Sequence, residues 1–345
     1  MGGTTAKTSM IARGEVTRAL DMQVGGGIMH GSRLMTGAGY ALKVPAIDLA
    51  EVGAGGGSIL SIDTGGSLRA GPESAGASPG PVCYDAGGEN PTITDANVIL
   101  GYINPDHLVG GAVKLNKEKA ISVFTRKIAE PLGLSLEEAA HGAHLISASN
   151  MIRAIKAVST ERGRNPRNYS LFAFGGNGPL FAAGMADAIG IKQVIVPPSP
   201  GLFSSFGLLY ADVEHHYSRT FRRLLTDADP QELTTAWEGL AKEALDELNK
   251  EGFSGASAVI ERSASLHYKG QIYELSVPAP SGNFDSKKLA ELAENFGQEH
   301  EVVYGHRAGP EEPVELVNIA VIGRGIPDSS RVPEKLYAEE GLTPV

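Results

Sequence analysis

The sequence predicts an α/β protein with a smaller α+β subdomain at its C-terminal end. Three observations carry this. Short apolar runs broken by glycine fill the first hundred residues, the mark of brief strands and tight turns. Apolar residues then recur at helical spacing, and two apolar runs flank a small-residue helix, which is α/β layering. Beyond residue 212 charge density rises, and two amphipathic helices accompany a strand or hairpin arm. We accordingly divide the chain into 1–212 and 213–345.

The elements follow in order. Tyr40–Val44, Ser58–Asp63 and the stretch around Ile93 read as strands. Ala120, Ile121, Phe124 and Ile128 share a helical face, which Pro131 limits. Ser135 with Glu138 three residues on is a capping box. It opens a long helix running to about Glu161, with the stripe Leu145, Ala148, Ile152 and Ile155 flanked by Met151 and Val158. Tyr169–Phe174 is a short strand, followed by the turn Gly175-Gly176-Asn177-Gly178-Pro179. A helix from Leu180 to Ile189 stops at Gly190, and Gln193–Val196 is the next strand. Asp229-Pro230 opens an amphipathic helix bearing Leu233, Trp237, Leu240, Ala244 and Leu248. Leu266–Val277 is the strand or hairpin arm, and a last helix carries Leu289, Leu292, Ala293 and Phe296.

Composition excludes several classes. A net charge of −10 argues against a nucleic-acid partner, which needs a basic face. One cysteine, Cys83, rules out an internal disulfide framework. No apolar run approaches the roughly 18 residues of a membrane span, and residues 1–10 hold no apolar signal core. The expectation is a cytoplasmic protein without nucleic-acid or membrane partners.

The 44 glycines cluster, and clusters mean tight turns or backbone that closely approaches a ligand. In Gly2-Gly3-Thr4-Thr5-Ala6-Lys7, two glycines free backbone N–H groups, two threonines add hydroxyls and Lys7 adds a mobile cation. That combination suits a phosphate cradle as well as an ordinary turn. Gly175–Pro179 lies between a strand and a helix, where a ligand can reach a helix N-terminus; a plain tight connection reads the same way. Neither loop fits the Walker pattern or a dinucleotide fingerprint.

Together the two loops resemble those of the actin-like ATPase (ribonuclease H-like) superfamily. The match extends to the hydantoinase A/oxoprolinase family. Met1–Lys7 is similar to its Asp-Met-Gly-Gly-Thr-Thr-Ala-Lys loop. Glu51–Ile59, the run Gly71–Tyr84, Pro91–Ala96, Phe174–Pro179, Tyr268–Gln271 and Tyr304–His306 resemble further family signatures. The resemblance spans residues 1–323 and implies an actin-like lobe with a β-rich insertion ahead of the smaller subdomain. It implies ATP and Mg²⁺ as cofactors, with Gly2, Gly3, Thr4, Thr5, Lys7, Gly175, Gly176, Asn177, Gly178 and Pro179 holding the nucleotide. The implied reaction is ring-opening hydrolysis of a cyclic amide (hydantoin, 5-oxoproline or a lactam) through carbonyl phosphorylation, completed with a hydantoinase B-type partner subunit. Acetone/acetophenone-type carboxylation of a ketone is the alternative within the family.

The sequence departs from the family in three places. The aspartate before the first loop and the lobe upstream of it are absent. The chain therefore reads as a piece of a longer subunit or one begun at an internal methionine, expected to be inactive alone or to serve only assembly. Phe181 stands where the family often has histidine, and Asn165 begins a motif that usually begins with aspartate.

Single residues carry two readings each. Asp95 could hold Mg²⁺, since hard cations prefer carboxylates, or cap a helix from Ala96. Glu51 could act as acid or base or sit as a surface carboxylate. With Lys7 these are the candidate catalytic residues. Cys83 is a nucleophile or buried packing. His141 and His144, three apart, could share a metal but lack a third ligand. Arg162 and Arg164 could meet a nucleotide or cap a helix end. His300 and His306 read as structural.

Overall fold

The computed structural model describes residues 1–19, 22–24, 29–30, 40–42, 46–309 and 311–326. The chain divides into two units, Met1–Ser204 and Ser205–Val345. Its fold is mixed α/β of the actin-like ATPase type. Among the described residues no helix is long and apolar enough to cross a membrane.

In the first unit, strand β1 (Ala6–Ser9) and strand β2 (Met29–His30) pair antiparallel with either side of β3 (Leu49–Val52). The register sets Ala6 opposite Val52 and Lys7 opposite Glu51. Short two-stranded ribbons lie between β1 and β3, among them Met22–Val24 with Tyr40–Leu42; the rest of the strand expected over Tyr40–Val44 lies outside the described residues. A hairpin follows, β4 (Ser58–Ile62) with β5 (Leu68–Ser74).

The stretch around Ile93 is helical, which corrects the expected strand. Thr92 is the N-cap of α1 (Ile93–Ile99), and its reciprocal bonds with Asp95 form a capping box. Helix α2 (Lys117–Phe124) also runs differently from expectation. It continues through a π-turn, Thr125–Ala129, into a last turn, Glu130–Leu132, and Gly133 at φ 64° ends it. The wider π-turn accommodates Pro131, whose ring would clash with the carbonyl four residues back in a regular α-helix.

Helix α3 (Leu136–Val158) opens on the expected box, with the Ser135 hydroxyl accepting from the Glu138 N–H. Of the expected stripe, Ile155 with Met151 and Val158 is buried and Ala148 and Ile152 pack against the same core, but Leu145 faces solvent and the buried face extends over small residues the stripe did not include. Leu145 is 53% exposed, while Ala139, Ala140, Ala143, Ser147, Ala154 and Ala157 are fully buried. Small residues let the helix lie close to β1, β3 and α1, and close packing of small side chains fills space as well as large ones. The unit ends with β6 (Leu171–Phe172), α4 (Gly178–Ile189) and β7 (Val194–Ile195). The two strands are parallel, and Gly190, at φ 75°, stops the helix.

The second unit holds a four-stranded antiparallel sheet in the order β8 (Val213–Leu224), β11 (Val314–Gly325), β9 (Ala258–Tyr268), β10 (Leu275–Pro278). Helices α5 (Pro230–Lys250) and α6 (Ser286–Tyr304) pack on it. Asp229 caps α5 and Pro230 starts it. Trp237, fully buried, stacks on Phe284 with ring centroids 4.5 Å apart, and Leu233, Leu248, Leu292 and Phe296 complete that core.

Candidate functional site

Three glycine loops of the first unit converge. The first is the turn Gly2–Thr5 leading into β1, closed by the Gly2 N–H on the Thr5 carbonyl at 3.1 Å. The second, Gly53–Gly57, joins β3 to β4 and lies directly against the first. The Gly56 N–H donates to the Gly2 carbonyl (3.0 Å) and the Gly57 N–H to the Gly3 carbonyl (2.6 Å). The third is Gly175–Gly178 at the start of α4. The Met1 amine donates to the Phe174 carbonyl (3.0 Å), the Asn177 N–H to the Met1 carbonyl (3.1 Å), and the Asn177 side-chain amide to the Gly2 carbonyl (3.2 Å). The two turns singled out in the sequence therefore touch one another. Beneath them Thr94 holds the middle loop, its N–H and hydroxyl donating to the Gly56 carbonyl at 2.7 and 2.9 Å.

The glycines are needed because a Cβ would meet backbone at Gly55 and the Asn177 side-chain amide at Gly56. A Cβ on Gly55 would overlap the Gly3 carbonyl and lie 2.5 Å from the Thr4 nitrogen; one on Gly56 would lie 2.5 Å from the Asn177 amide. The packing leaves donors unspent. Among the described residues the N–H groups of Gly3, Thr4 and Gly176 meet no acceptor, and all three residues are exposed. With the N-terminus of α4 beside them, these groups are donors without acceptors at the surface, a chemistry that suits an anion.

Lys7 lies one residue into β1. Its ammonium is 3.6 Å from the Glu51 carboxylate across the strand pair, and both side chains reach solvent. An exposed pair of this kind adds at most about 1 kcal/mol, so Lys7 can exchange Glu51 for an incoming anion at little cost.

Asp95 is placed differently from the metal or catalytic role considered for it. It is fully buried, and its carboxylate accepts from the Val82 N–H (3.2 Å), the Cys83 N–H (2.7 Å), the Thr92 N–H (2.8 Å) and the Thr92 hydroxyl (2.8 Å). A carboxylate so enclosed does not fit a magnesium shell, which needs oxygen open to the ion and its waters. The helix cap itself is Thr92 rather than Asp95. Cys83 is buried, and desolvation, with the Asp95 charge behind it, pushes its thiol well up, which keeps it protonated. Arg162 is buried in a two-pronged pair with Asp48 at 2.7 and 2.6 Å, so it anchors the loop before β6. Among the described residues no three His, Cys, Asp or Glu side chains gather at one point.

His144 is buried. Its Nδ1 is 2.9 Å from the Asn97 side-chain oxygen, and its ring stacks on Phe181 with centroids 4.1 Å apart. Burial, reinforced by His141, pulls its pKa down to about 4. Folded His144 thus stays neutral while the unfolded chain protonates near pH 6.5. Stability is complete above that value and falls as the pH drops toward 4, by roughly 2–3 kcal/mol. Denaturant titrations across pH 4–7 should show this slope in the wild type and lose it in His144→Gln; an unchanged slope would assign it to other groups.

Among the described residues, two surface cavities are lined by none of the loop residues. One of about 530 Å³ is lined by Lys156, Arg164, Arg167 and Ile189 at the far end of α4. The other, of about 460 Å³, is lined by Arg219, Arg222 and Gln231 in the second unit. The glycine-loop site is instead an open surface of backbone.

The hydantoinase/oxoprolinase family model matches residues 1–217, and the hydantoinase/oxoprolinase C-terminal domain matches residues 225–340. The chain is 43% identical to an uncharacterised protein of Methanocaldococcus jannaschii, over 94% of this chain and 46% of that one. It is 39% identical to the caprolactamase alpha subunit of Pseudomonas jessenii, over 83% and 42%. The crystal structure of that ATP-dependent caprolactamase superposes with a TM-score of 0.74 at 38% identity, over 86% of this chain and 42% of that one. The acetone carboxylase beta subunit of Xanthobacter autotrophicus is 30% identical over all of this chain and 47% of its own. The chain spans less than half the length of each of these relatives.

Proposed function

This chain belongs to the hydantoinase/oxoprolinase family, and from that premise we propose that it serves the ATP-using step of a ring-opening hydrolysis of a cyclic amide. The observation that carries the reading is the joined pair of turns, with unspent N–H groups at Gly3 and Thr4 on the segment that runs into Lys7 and another at Gly176 on the facing turn. These groups are all donors, and a triphosphate is all acceptor. The likeness to a caprolactamase subunit and to a 5-oxoprolinase favours a lactam, 5-oxoproline among them, and the family as a whole adds hydantoins.

An amide oxygen is a poor leaving group, and phosphorylation turns it into a good one. A bond forms between the carbonyl oxygen and the terminal phosphorus as the bond to the ADP oxygen breaks. Such a transfer rests on positioning and charge neutralisation. In our reading Gly2, Gly3, Thr4 and Thr5 cradle the phosphates with backbone and hydroxyl donors, and Lys7 leaves Glu51 to neutralise the charge that develops. Glu51, once released by Lys7, would be a carboxylate available to hold a magnesium ion, which would supply charge neutralisation at the triphosphate. Gly175–Pro179 takes the adenosine side. A partner subunit of the B type completes the hydrolysis. Carboxylation of a ketone is the second reading, favoured by the likeness to the acetone carboxylase subunit over the whole chain.

ATP turnover by the full-length subunit with its partner, tested with caprolactam, hydantoins, 5-oxoproline and ketones plus bicarbonate, decides between them. Cyclic amides should stimulate turnover, and Lys7→Met should lower it on the order of a hundredfold while moving stability by under about 1 kcal/mol. A protein that binds no ATP removes both readings.

A further inference from the structure

The run Gly71–Tyr84 has no task in the reaction described above, although it is the longest signature in the chain. Both its ends are pinned. Gly71 lies so close to Gly53 that a Cβ would come within 2.6 Å of the Gly53 carbonyl. The N–H groups of Val82 and Cys83 are held by Asp95. Between these anchors the segment passes over the middle glycine loop, with the Ala75 N–H donating to the Gly57 carbonyl at 2.8 Å. There the Ser74 hydroxyl lies 3.3 Å from the Thr4 hydroxyl and accepts the Gly76 N–H at 3.2 Å.

The pair holds two hydroxyl protons. Each hydroxyl owns one. If Thr4 donates to Ser74, the Ser74 proton is unspent; if Ser74 donates to Thr4, the Thr4 proton is unspent. Either way one O–H is left over, beside the unpaired N–H groups of Gly3 and Thr4. We propose that Ser74 belongs to the nucleotide site, and that the Thr4–Ser74 pair delivers this one proton to a non-bridging phosphate oxygen. The signature run is then the third wall of the phosphate cradle. The proposal rests on the nucleotide reading.

Calorimetric binding of ATP, and of adenosine by competition, to the full-length protein tests it. Thr4→Ala with Ser74→Ala, which removes both hydroxyls, should weaken ATP about tenfold, the loss of one hydrogen bond to a charged group, and leave adenosine unchanged. Ser74→Thr, which keeps the hydroxyl, should bind ATP like the wild type. Either single alanine variant keeps one hydroxyl whose proton is no longer shared, so the loss in the double variant should exceed the sum of the two single losses. A double variant that binds ATP no more weakly than Thr4→Ala would overturn the proposal, as would an equal loss of adenosine, which would mark a collapsed loop. A wild type that binds no ATP would instead overturn the nucleotide reading, and this proposal with it.

Discussion

Gly55→Ala is expected to abolish nucleotide binding in a protein that still folds its second unit. The added Cβ would overlap the Gly3 carbonyl and stand 2.5 Å from the Thr4 nitrogen. Both are backbone atoms, which cannot rotate aside as a side chain can. The turn Gly2–Thr4 must therefore shift by about an ångström, and displacements of that size cost on the order of a hundredfold at a positioned site. The shift also breaks the bonds from Gly56 and Gly57 to the Gly2 and Gly3 carbonyls, each worth about 1 kcal/mol. Gly2 and Gly3 supply the control. A Cβ on either meets nothing within 4 Å, so Gly2→Ala should keep ATP affinity within about threefold, less than one hydrogen bond's worth. Calorimetric titration of both variants checks the contrast, and equal losses would show that stacking of the loops does not shape the turn.

Asp95→Asn should give the largest stability loss among single substitutions at the site, about 3–5 kcal/mol. The replacement amide turns one acceptor into a donor facing the N–H groups of Val82, Cys83 or Thr92 and removes the charge that strengthened those bonds. Since Asp95 ties α1 to the end of the Gly71–Tyr84 run, the loss should appear in unfolding of the first unit, measured by denaturant titration without added nucleotide or magnesium. A variant with wild-type stability and a selective loss of magnesium-dependent turnover would return Asp95 to the metal role.

Features with a local cause were legible in the sequence. Ser135 with Glu138, Asp229 before Pro230, and Gly190 each act within one helical turn, and each stands where it was expected. The Thr92–Asp95 box is equally local, but the apolar Ile93 beside it reads as strand. The buried face of α3 was only partly legible: Met151, Ile155 and Val158 are buried as expected, but periodicity weighs large apolar residues and so missed the alanines and Ser147 that make up much of this interface and placed Leu145 inside. Other features depend on long-range register. That Lys7 opposes Glu51 follows from pairing of β1 with β3, and no spacing along the chain reveals it. The stacking of the glycine loops and the meeting of Ser74 with Thr4 are of the same kind: composition suggests close approach, but only the fold says what approaches what.

The small-residue face of α3 makes mutational tolerance one-sided. Five alanines there are fully buried, and an alanine has almost nothing to trim, so drift at these positions can only add volume. An added methyl there pushes the helix off the elements it packs on, among them the strands that carry Lys7 and Glu51, and overpacking of that kind costs typically about 1–3 kcal/mol. The helix thus acts as a rigid spacer whose thickness sets where those two side chains stand, although it contributes no functional group of its own to the glycine loops.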